Sequence, residues 1–431
     1  MNLFLAAAIA LIAGLLMTRV ASRFGLPDVT AYLVAGVLIG PYVLGQLGVP
    51  GLGFVSAEEL SRLSFIPSTA LGFIAFTIGS EFILDDLKKT GKKILVIGVL
   101  QALITAVTVD IVLLIAHALI PGSISAAGAI VMGAIATATA PAATLMVVRQ
   151  YKAKGKVVDV LLPVVALDDA VGLAVFAVSF GVARAMSDGT MDVMSIAVDP
   201  LIEIVLSLVL GGLLGELLTR LEKLFNSGRN RMALIVGFVL LTVALSMLEF
   251  DVGPVHMAFS TLLVCMAMGV IFCNRCPFAE DLMDKADKWT SPLFALFFIL
   301  SGAELELNVF KSGAVVGIGL LYILFRCAGK YFGAYFSATI TGYDKDVRKW
   351  LGITLFPQAG VALGMSVTVA SWGAEGALIR NIILFGVLIY ELFGPVLTKY
   401  ALTQSGDIQP KSPEVEHRRE NALAAMEKKN N

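Results

Sequence analysis

Apolar stretches long enough to cross a lipid bilayer recur along nearly the whole chain. The hydrocarbon core of a bilayer is about 30 Å thick, and an α-helix needs about 20 apolar residues to span it. The 431 residues contain thirteen such stretches, at 2–20, 29–47, 63–83, 94–118, 123–148, 158–183, 200–224, 231–249, 253–273, 289–304, 309–338, 349–372 and 376–401. We therefore expect an all-α polytopic membrane protein with thirteen transmembrane helices, and we number these spans in chain order.

The overall composition agrees with this expectation and excludes several functions. Hydrophobic residues make up 58% of the chain and charged residues only 15%, whereas about a quarter of a soluble domain is charged. The net charge is −1 and no basic patch is present, which argues against a nucleic-acid partner. The first span lacks a basic start and a cleavage site, so we expect a retained helix rather than a signal peptide.

Lysine and arginine residues are concentrated in every second loop, and these loops lie on the same side of the predicted membrane. The loops after odd-numbered spans, together with the span ends beside them, hold twenty of them. The loops after even-numbered spans, counted in the same way, hold four, which are Arg62, Arg184, Lys311 and Arg380. Loops rich in basic residues remain in the cytoplasm. We therefore expect a multi-pass protein of the plasma (inner) membrane, with its N-terminus outside and its C-terminus in the cytoplasm.

A shift of 223 residues aligns the end of span 3 with the end of span 10. Gly79-Ser80-Glu81-Phe82 then falls on Gly302-Ala303-Glu304-Leu305, so that each copy is a small-residue helix end followed by an acidic residue. The predicted topology gives these two spans opposite orientations. Like sequence in opposite orientation indicates the inverted repeat of secondary transporters, although two apolar helix ends can also resemble each other by chance.

The same shift aligns two spans that are interrupted near their middle. Span 5 contains Thr137, Thr139 and Pro141 among small residues, and span 12 contains Pro357 and Gln358. A proline removes one backbone N–H and leaves a carbonyl without its helical partner, which lipid tolerates only where the break is buried or lines a cavity. Such freed carbonyls and half-helix ends can coordinate a cation. A kink that serves packing alone is the structural alternative.

Two adjacent aspartates, Asp168 and Asp169, lie near the middle of span 6, and two bases, Arg326 and Lys330, lie near the middle of span 11. A charged side chain at the bilayer centre costs about 3 kcal/mol. Neighbouring residues of a helix lie about 100° apart, so we expect one carboxylate to face the break in span 5 and the other to face Lys330 or Arg326. An inert clamp of two acids and two bases is the structural alternative.

Carboxylates in this position would let protons and a metal cation compete for the same oxygens. Oxygen ligands suit hard cations, and we expect Na⁺, Li⁺ or K⁺ at Asp169 and Asp168. Asp110 in span 4 is a secondary candidate that could pair with a base or line a funnel. Glu391 in span 13 falls opposite Asp168 under the 223-residue shift, and we expect it to brace Arg326 rather than to bind the ion.

Other kinds of active site are not predicted. The chain has no GxxxxGK[ST] loop, and its Cys273–Cys276 spacing has no second pair or nearby histidine, so we expect no enzyme activity, no cofactor and no resident metal. Residues 404–431 form a short polar tail, which we expect to be cytoplasmic and too short for a nucleotide-binding domain.

Four segments together carry a resemblance to a known family. They are 28–36 with Gly40-Pro41, the break at 137–141, Leu167-Asp168-Asp169, and the run from Pro357 to Gly364. On these residues the chain resembles the monovalent cation:proton antiporter-2 family of the Na⁺/H⁺ exchanger superfamily, over about residues 1–403. The resemblance implies thirteen helices, two crossed broken helices, and a homodimer that works by elevator-like alternating access.

The resemblance also implies a division of the membrane region and a role for each charged residue. The dimerisation part would comprise about 1–60 and 200–273, and the ion-transporting core about 61–183 and 289–403. Asp169 would carry the ion, Asp168 would pair with a base when protons are bound, and Lys330 would release its proton. Arg326, one turn before Lys330, is the alternative partner of Asp168.

The sequence therefore predicts a secondary transporter that exchanges Na⁺ or Li⁺ for protons electrogenically. Exchange of K⁺ for protons is the alternative within this class. A non-transporting membrane sensor or a channel-like protein is the alternative from another class.

Overall fold

The helices follow the predicted spans closely. The computed structural model describes residues 3–24, 26, 28–49, 52–80, 82–83, 91–120, 124–187, 199–248, 250–252, 255–257 and 259–408. We label its membrane helices by span, with the two halves of a broken helix marked a and b. Their bounds are α1 Leu3–Arg23, α2 Asp28–Ile39, α3 Phe65–Ser80, α4 Lys92–Leu119, α5a Ala126–Ile135, α5b Pro141–Gln150, α6 Lys156–Ser187, α7 Asp199–Glu222, α8 Gly228–Ser246, α9 Thr261–Arg275, α10 Ala279–Ala303, α11 Gly313–Ile340, α12a Lys345–Thr354, α12b Gly360–Ala370 and α13 Gly373–Gln404.

Eight apolar segments of the described chain are long enough to cross a membrane by themselves, and four shorter apolar helices accompany them. The short ones are α3, α5a, α9 and α12b. The connecting segments include a short helix Ala57–Ser61, 3₁₀ turns at Leu44–Leu47 and Leu307–Lys311, and a hairpin of β1 Phe250–Val252 with β2 Val255–Met257. The prediction of a helical polytopic protein is confirmed, with this small hairpin as an addition.

Two helix starts differ from the predicted spans by eight residues or more, for identifiable reasons. The helix α9 begins at Thr261 rather than at residue 253, because the hairpin precedes it and the Ser260 side chain caps its first turn by accepting a hydrogen bond from the Leu263 N–H (3.5 Å). The helix α10 begins at Ala279 rather than at residue 289. Its first turns carry charged residues such as Asp281 and Lys285, so hydropathy alone placed its start too late.

The helices form two bundles. In the first bundle, α3 packs mainly on α9, and α10 packs mainly on α2, with α1 and α8 alongside. In the second bundle, α4 packs on α11, and α5, α6, α12 and α13 complete the group. The helix α7 packs chiefly on α9 and also touches α6 and α8.

This packing differs from the division that the resemblance implies. That division places α3 and α10 in the ion-transporting core, within 61–183 and 289–403, whereas both helices have their main contacts in the first bundle. The division into a dimerisation part and a core stays a prediction, because helix contacts alone do not show which part dimerises.

Glycines at equivalent positions of the two sequence copies hold these helix pairs close together. A Cβ at Gly79 would lie 2.0 Å from the Met266 carbonyl oxygen, and one at Gly302 would lie 2.2 Å from that of Leu33. The reciprocal contacts match as well, because a Cβ at Gly269 would lie 2.1 Å from the Phe76 oxygen and one at Gly36 would lie 2.0 Å from that of Ile299. Gly79 and Gly302, and likewise Phe76 and Ile299, are related by the predicted 223-residue shift.

The α3–α9 and α2–α10 crossings are therefore copies of one another, and the repeat extends to α2 and α9. Some of the predicted correspondence cannot be examined in the same way. Glu81, which the repeat aligns with Glu304, lies outside the described residues, as do residues 84–90 and the tail from 409 to 431.

We expect Gly269→Ala to destabilise the protein, because the new methyl group forces α3 and α9 apart. Overpacking of this kind costs about 1–3 kcal/mol. Thermal unfolding of the purified protein in detergent, followed by tryptophan fluorescence, measures the loss. Gly237→Ala is the matched control, since nothing lies within 4 Å of a Cβ at that position. Equal stability of the two variants would contradict the close crossing.

Candidate ion-binding site at two broken helices

The two helix breaks meet in the middle of the second bundle. The helix α5a ends at Ile135 and α5b begins at Pro141, while α12a ends at Thr354 and α12b begins at Gly360. The Ala140 N–H donates to the Pro357 carbonyl at 2.9 Å, and the Gln358 amide donates to the Ile135 carbonyl at 2.9 Å. The segments that predicted the breaks therefore contact each other directly.

Arg326 of α11 satisfies the carbonyls that both breaks set free. Its guanidinium donates to Ala136 (3.0 Å) and Ala138 (2.6 Å) in the first break, and to Phe356 (2.7 Å) and Pro357 (3.5 Å) in the second. These carbonyls continue from the C-terminal ends of α5a and α12a, where the helix dipoles place negative partial charge. The fully buried cation is thus held by peptide groups, and its face lies 4.5 Å from the ring centre of Tyr390.

Lys330, one turn further along α11, pairs with Asp168. The two charged atoms lie 2.5 Å apart, and both side chains are completely buried. The lysine also donates to the Thr137 carbonyl and, at 3.2 Å, to the Gln101 side-chain oxygen. Gln101 and the Thr139 hydroxyl in turn donate to Asp168. Lys330 and Arg326 were the two alternative partners of Asp168. In the structure Lys330 contacts the Asp168 carboxylate, whereas Arg326 binds backbone carbonyls.

Asp169 faces a cavity of about 460 Å³. Only 1% of its surface is exposed, yet it lines this space together with Ala140 and Ala359 of the two breaks. The cavity continues to Asp28 at the start of α2 and to Asp287 in the first half of α10. These two positions adjoin the loops after spans 1 and 9, which are rich in basic residues. The cavity therefore reaches the side of the membrane on which the basic loops lie.

The expected division between the two aspartates is therefore only partly correct. We expected one carboxylate at the break in span 5 and the other at span 11. Asp168 makes both contacts, through Thr139 and Lys330, while Asp169 faces the cavity. Consecutive residues of a helix point about 100° apart, so the side chains of Asp168 and Asp169 point in different directions although both lie near the crossing of the two breaks.

The remaining break residues lie at the crossing in different roles. The Thr137 hydroxyl donates to the Ala134 carbonyl at 2.7 Å, so it continues the end of α5a. Gln358 joins the breaks through Ile135, and it also exchanges hydrogen bonds with the Tyr322 hydroxyl at 3.0–3.2 Å. Pro141 begins α5b.

The two secondary candidates lie outside this network. Asp110 lies nine residues beyond Gln101, about 14 Å along α4, and packs against Gly133, where a Cβ would meet its carboxylate oxygen at 1.7 Å. Glu391 is completely buried, and among the described residues its two carboxylate oxygens have no hydrogen-bond partner. The expected brace between Glu391 and Arg326 was wrong, because carbonyl groups occupy the guanidinium.

Sequence reasoning missed three polar residues of the site, Gln101, Tyr322 and Tyr390. Gln101 bridges Asp168 and Lys330, Tyr322 binds Gln358, and Tyr390 lies beside Arg326. Gln101 carried a usable signal, since it is an amide in the middle of an otherwise apolar stretch and an unpaired amide is costly in lipid. The two tyrosines gave no such signal, because aromatic residues are common in apolar spans.

We expect Arg326→Leu to reduce thermal stability strongly in detergent. The change leaves the carbonyls of both breaks without donors, at about 1–3 kcal/mol for each buried group left unsatisfied. Differential scanning fluorimetry of the purified variants measures the effect. Arg19→Leu is the control, because Arg19 lies on an exposed face of α1. A melting temperature equal to that of the control would show that the breaks do not depend on this guanidinium.

Comparison with known proteins places this geometry in a family. A sequence profile described as "Sodium/hydrogen exchanger, transmembrane" matches residues 7–402. The chain is 23% identical over 387 residues to the K(+)/H(+) antiporter subunit KhtU of Bacillus subtilis, covering 88% of this chain and 89% of that protein. It is 26% identical over 396 residues to a glutathione-regulated potassium-efflux system protein of Haemophilus influenzae, covering 90% of this chain and 59% of that one.

A third relative and a solved structure add to this comparison. Cation/H(+) antiporter 19 of Arabidopsis thaliana is 24% identical over 327 residues, which cover 73% of this chain and 39% of that protein. The sodium proton antiporter MjNhaP1 of Methanocaldococcus jannaschii, solved at pH 8, superposes with a TM-score of 0.71 at 18% identity, over 92% of this chain and 97% of that one. This match confirms the antiporter fold predicted from the sequence. The chain belongs to the sodium/hydrogen exchanger transmembrane family, and it is a multi-pass membrane protein that exchanges a monovalent cation for protons.

Proposed function

We propose that the chain exchanges Na⁺ or Li⁺ for protons electrogenically, with Asp169 as the cation-binding group. One observation carries this proposal, namely that Asp169 lies at the inner end of the 460 Å³ cavity while its neighbour Asp168 is paired with Lys330. A carboxylate at the end of an access path can take up either a cation or a proton. The paired aspartate and lysine supply a second group that can change protonation when the cation binds.

The proposed cycle begins with the arrangement described above, in which Lys330 is charged and bound to Asp168. A cation that enters the cavity replaces the proton on Asp169 and draws the Asp168 carboxylate towards itself. Lys330 then loses its counterion in a buried site, so one of its N–H bonds breaks and the proton passes to water in the cavity. The neutral Lys330 keeps hydrogen-bonding partners in the Thr137 carbonyl and the Gln101 side chain.

This sequence of steps makes the exchange electrogenic. Two protons, one from Asp169 and one from Lys330, leave for each cation that binds. One net charge therefore crosses the membrane in each cycle, and a potential of 100 mV contributes about 2.3 kcal/mol. The membrane potential can then drive cation extrusion without a pH gradient.

Contacts between the two bundles support alternating access. At the end of the helices remote from the cavity mouth, Arg380 of α13 pairs with Glu304 at the end of α10, and the Asn381 side chain accepts from the Glu306 N–H at 2.8 Å. These contacts join the second bundle to the first on that side. We propose that they close the outer side while the cavity is open to the cytoplasm, and that the second bundle moves when they separate.

The membrane arrangement follows from the same proposal. The cavity mouth adjoins the basic loops, which the charge pattern assigns to the cytoplasm. The N-terminus would lie outside and the C-terminus inside the plasma membrane. A homodimer through the first bundle, which the family resemblance implies, would cover exposed apolar side chains of α1 and α7 such as Leu16 and Leu213.

Exchange of K⁺ for protons is the second candidate function. The names of two relatives, a K(+)/H(+) antiporter subunit and a potassium-efflux protein, favour it. The ligand chemistry does not decide between these ions, because carboxylates and carbonyls bind all hard monovalent cations. A sensor or channel has no comparable observation in its favour.

We expect purified protein in liposomes to collapse an imposed proton gradient when Na⁺ or Li⁺ is added, and to respond less to K⁺. A pH-sensitive dye inside the vesicles measures the proton flux, with the three chlorides added in turn. Asp169→Asn removes the group that binds the cation, so its flux should fall to that of protein-free vesicles.

Asp159→Asn is the control for this experiment, because Asp159 lies on the same helix but is exposed. Retained exchange in Asp169→Asn would overturn the site assignment. A response to K⁺ alone would favour the second function. Current without proton coupling would contradict antiport.

A further inference from the structure

Glu391 is a completely buried acid for which the proposed exchange has no use. Its surface exposure is 0%, and among the described residues neither carboxylate oxygen has a hydrogen-bond partner. An ionised carboxylate without a partner is very unfavourable in a buried site. In this arrangement of the helices Glu391 must therefore carry a proton.

The neighbouring bases are engaged by groups other than Glu391. The Arg326 guanidinium is bound by carbonyls of both breaks, and the Lys330 ammonium is bound by Asp168. Neither base donates a hydrogen bond to the Glu391 carboxyl group.

Among the described side chains, other titratable groups on the elements packed against α13 lie away from Glu391 or are engaged. Asp28 of α2 lines the cavity, as does Tyr32, and Tyr322 of α11 is bonded to Gln358. The charged residues of α12a precede Trp350, which contacts Tyr400, nine residues or about 14 Å beyond Glu391 along α13. Cys327 of α11 and Tyr390 of α13 are neutral at ordinary pH.

Glu391 also lies where the two bundles touch. Its backbone carbonyl accepts a hydrogen bond from the Thr30 hydroxyl of α2 at 3.3 Å. One turn further, Gly394 packs against the second break, since a Cβ there would lie 2.8 Å from the Pro357 ring. Movement of the second bundle along the first would break this hydrogen bond and change the surroundings of Glu391.

We propose that Glu391 is a second proton-binding site, separate from the aspartate pair, whose proton holds α13 against α2. When the proton is bound, the neutral acid fits the buried position. When the O–H bond breaks and the proton leaves to water, the carboxylate favours an arrangement in which water reaches it. This inference rests on the proposed alternating access, and it adds a proton that controls the position of the bundles rather than one exchanged at Asp169.

The test measures the distance between the bundles at different pH values without any cation. Spin labels on Val49→Cys of the first bundle and Ser371→Cys of the second report the distance by pulsed electron resonance, because both positions are exposed. Serine or alanine replaces the four native cysteines in this background. We expect a new distance population to grow in the parent protein between about pH 5 and about pH 9 as the buried carboxyl ionises.

Glu391→Gln imitates the protonated acid and should retain the low-pH distance over the whole range. Asp159→Asn is the control and should follow the parent protein. Asp169→Asn should also follow it, even though this variant has lost exchange, which separates failure of the proposed function from failure of this inference. A pH-dependent change that persists in Glu391→Gln, or a parent protein whose distance does not change with pH, would overturn the proposal.

Discussion

The site depends on the interaction of one guanidinium group with two interrupted helices. Lipid offers no hydrogen bonds, so each carbonyl that leaves the helical ladder needs a partner within the protein. Arg326 provides this partner for Ala136, Ala138, Phe356 and Pro357 at once. Because these carbonyls come from both breaks, the same cation joins α5 to α12 and keeps the crossing in the bundle centre.

A second constraint follows from the charge of this centre. Arg326 and Lys330 are both buried, but only Lys330 is paired with a carboxylate, that of Asp168. Arg326 is held by rigid peptide groups, whereas Lys330 is held by one carboxylate and a few polar atoms. In the proposed cycle Lys330 changes protonation, whereas Arg326 stays charged and holds the two breaks together. The two bases, one turn apart on α11, thus have different roles: the charge of Arg326 is constant, and the charge of Lys330 changes with its protonation.

Hydropathy and proline placement predicted the spans and the two breaks, because both features have a direct physical cost in lipid. The choice between Lys330 and Arg326 could not be predicted, since the two lie one turn apart on the same side of α11. The partners of Arg326 are backbone carbonyls, which every residue has, so no sequence pattern marks them. Gln101 was missed because an amide in an apolar span costs less free energy than a charge does and is therefore a weaker signal. The membership of α3 and α10 in the first bundle was also missed, although Gly79 and Gly302 in the repeat indicated where close crossings lie.

Competition between a cation and protons for one buried carboxylate site is the central claim, and proton release on cation binding tests it most directly. Calorimetric titration of the purified protein with NaCl, LiCl and KCl, in buffers of different ionisation enthalpy, counts the protons that leave. The account predicts release of protons on binding, with an affinity that falls about tenfold per pH unit for each proton at acid pH. Cation binding that releases no proton and has the same affinity at every pH would contradict it.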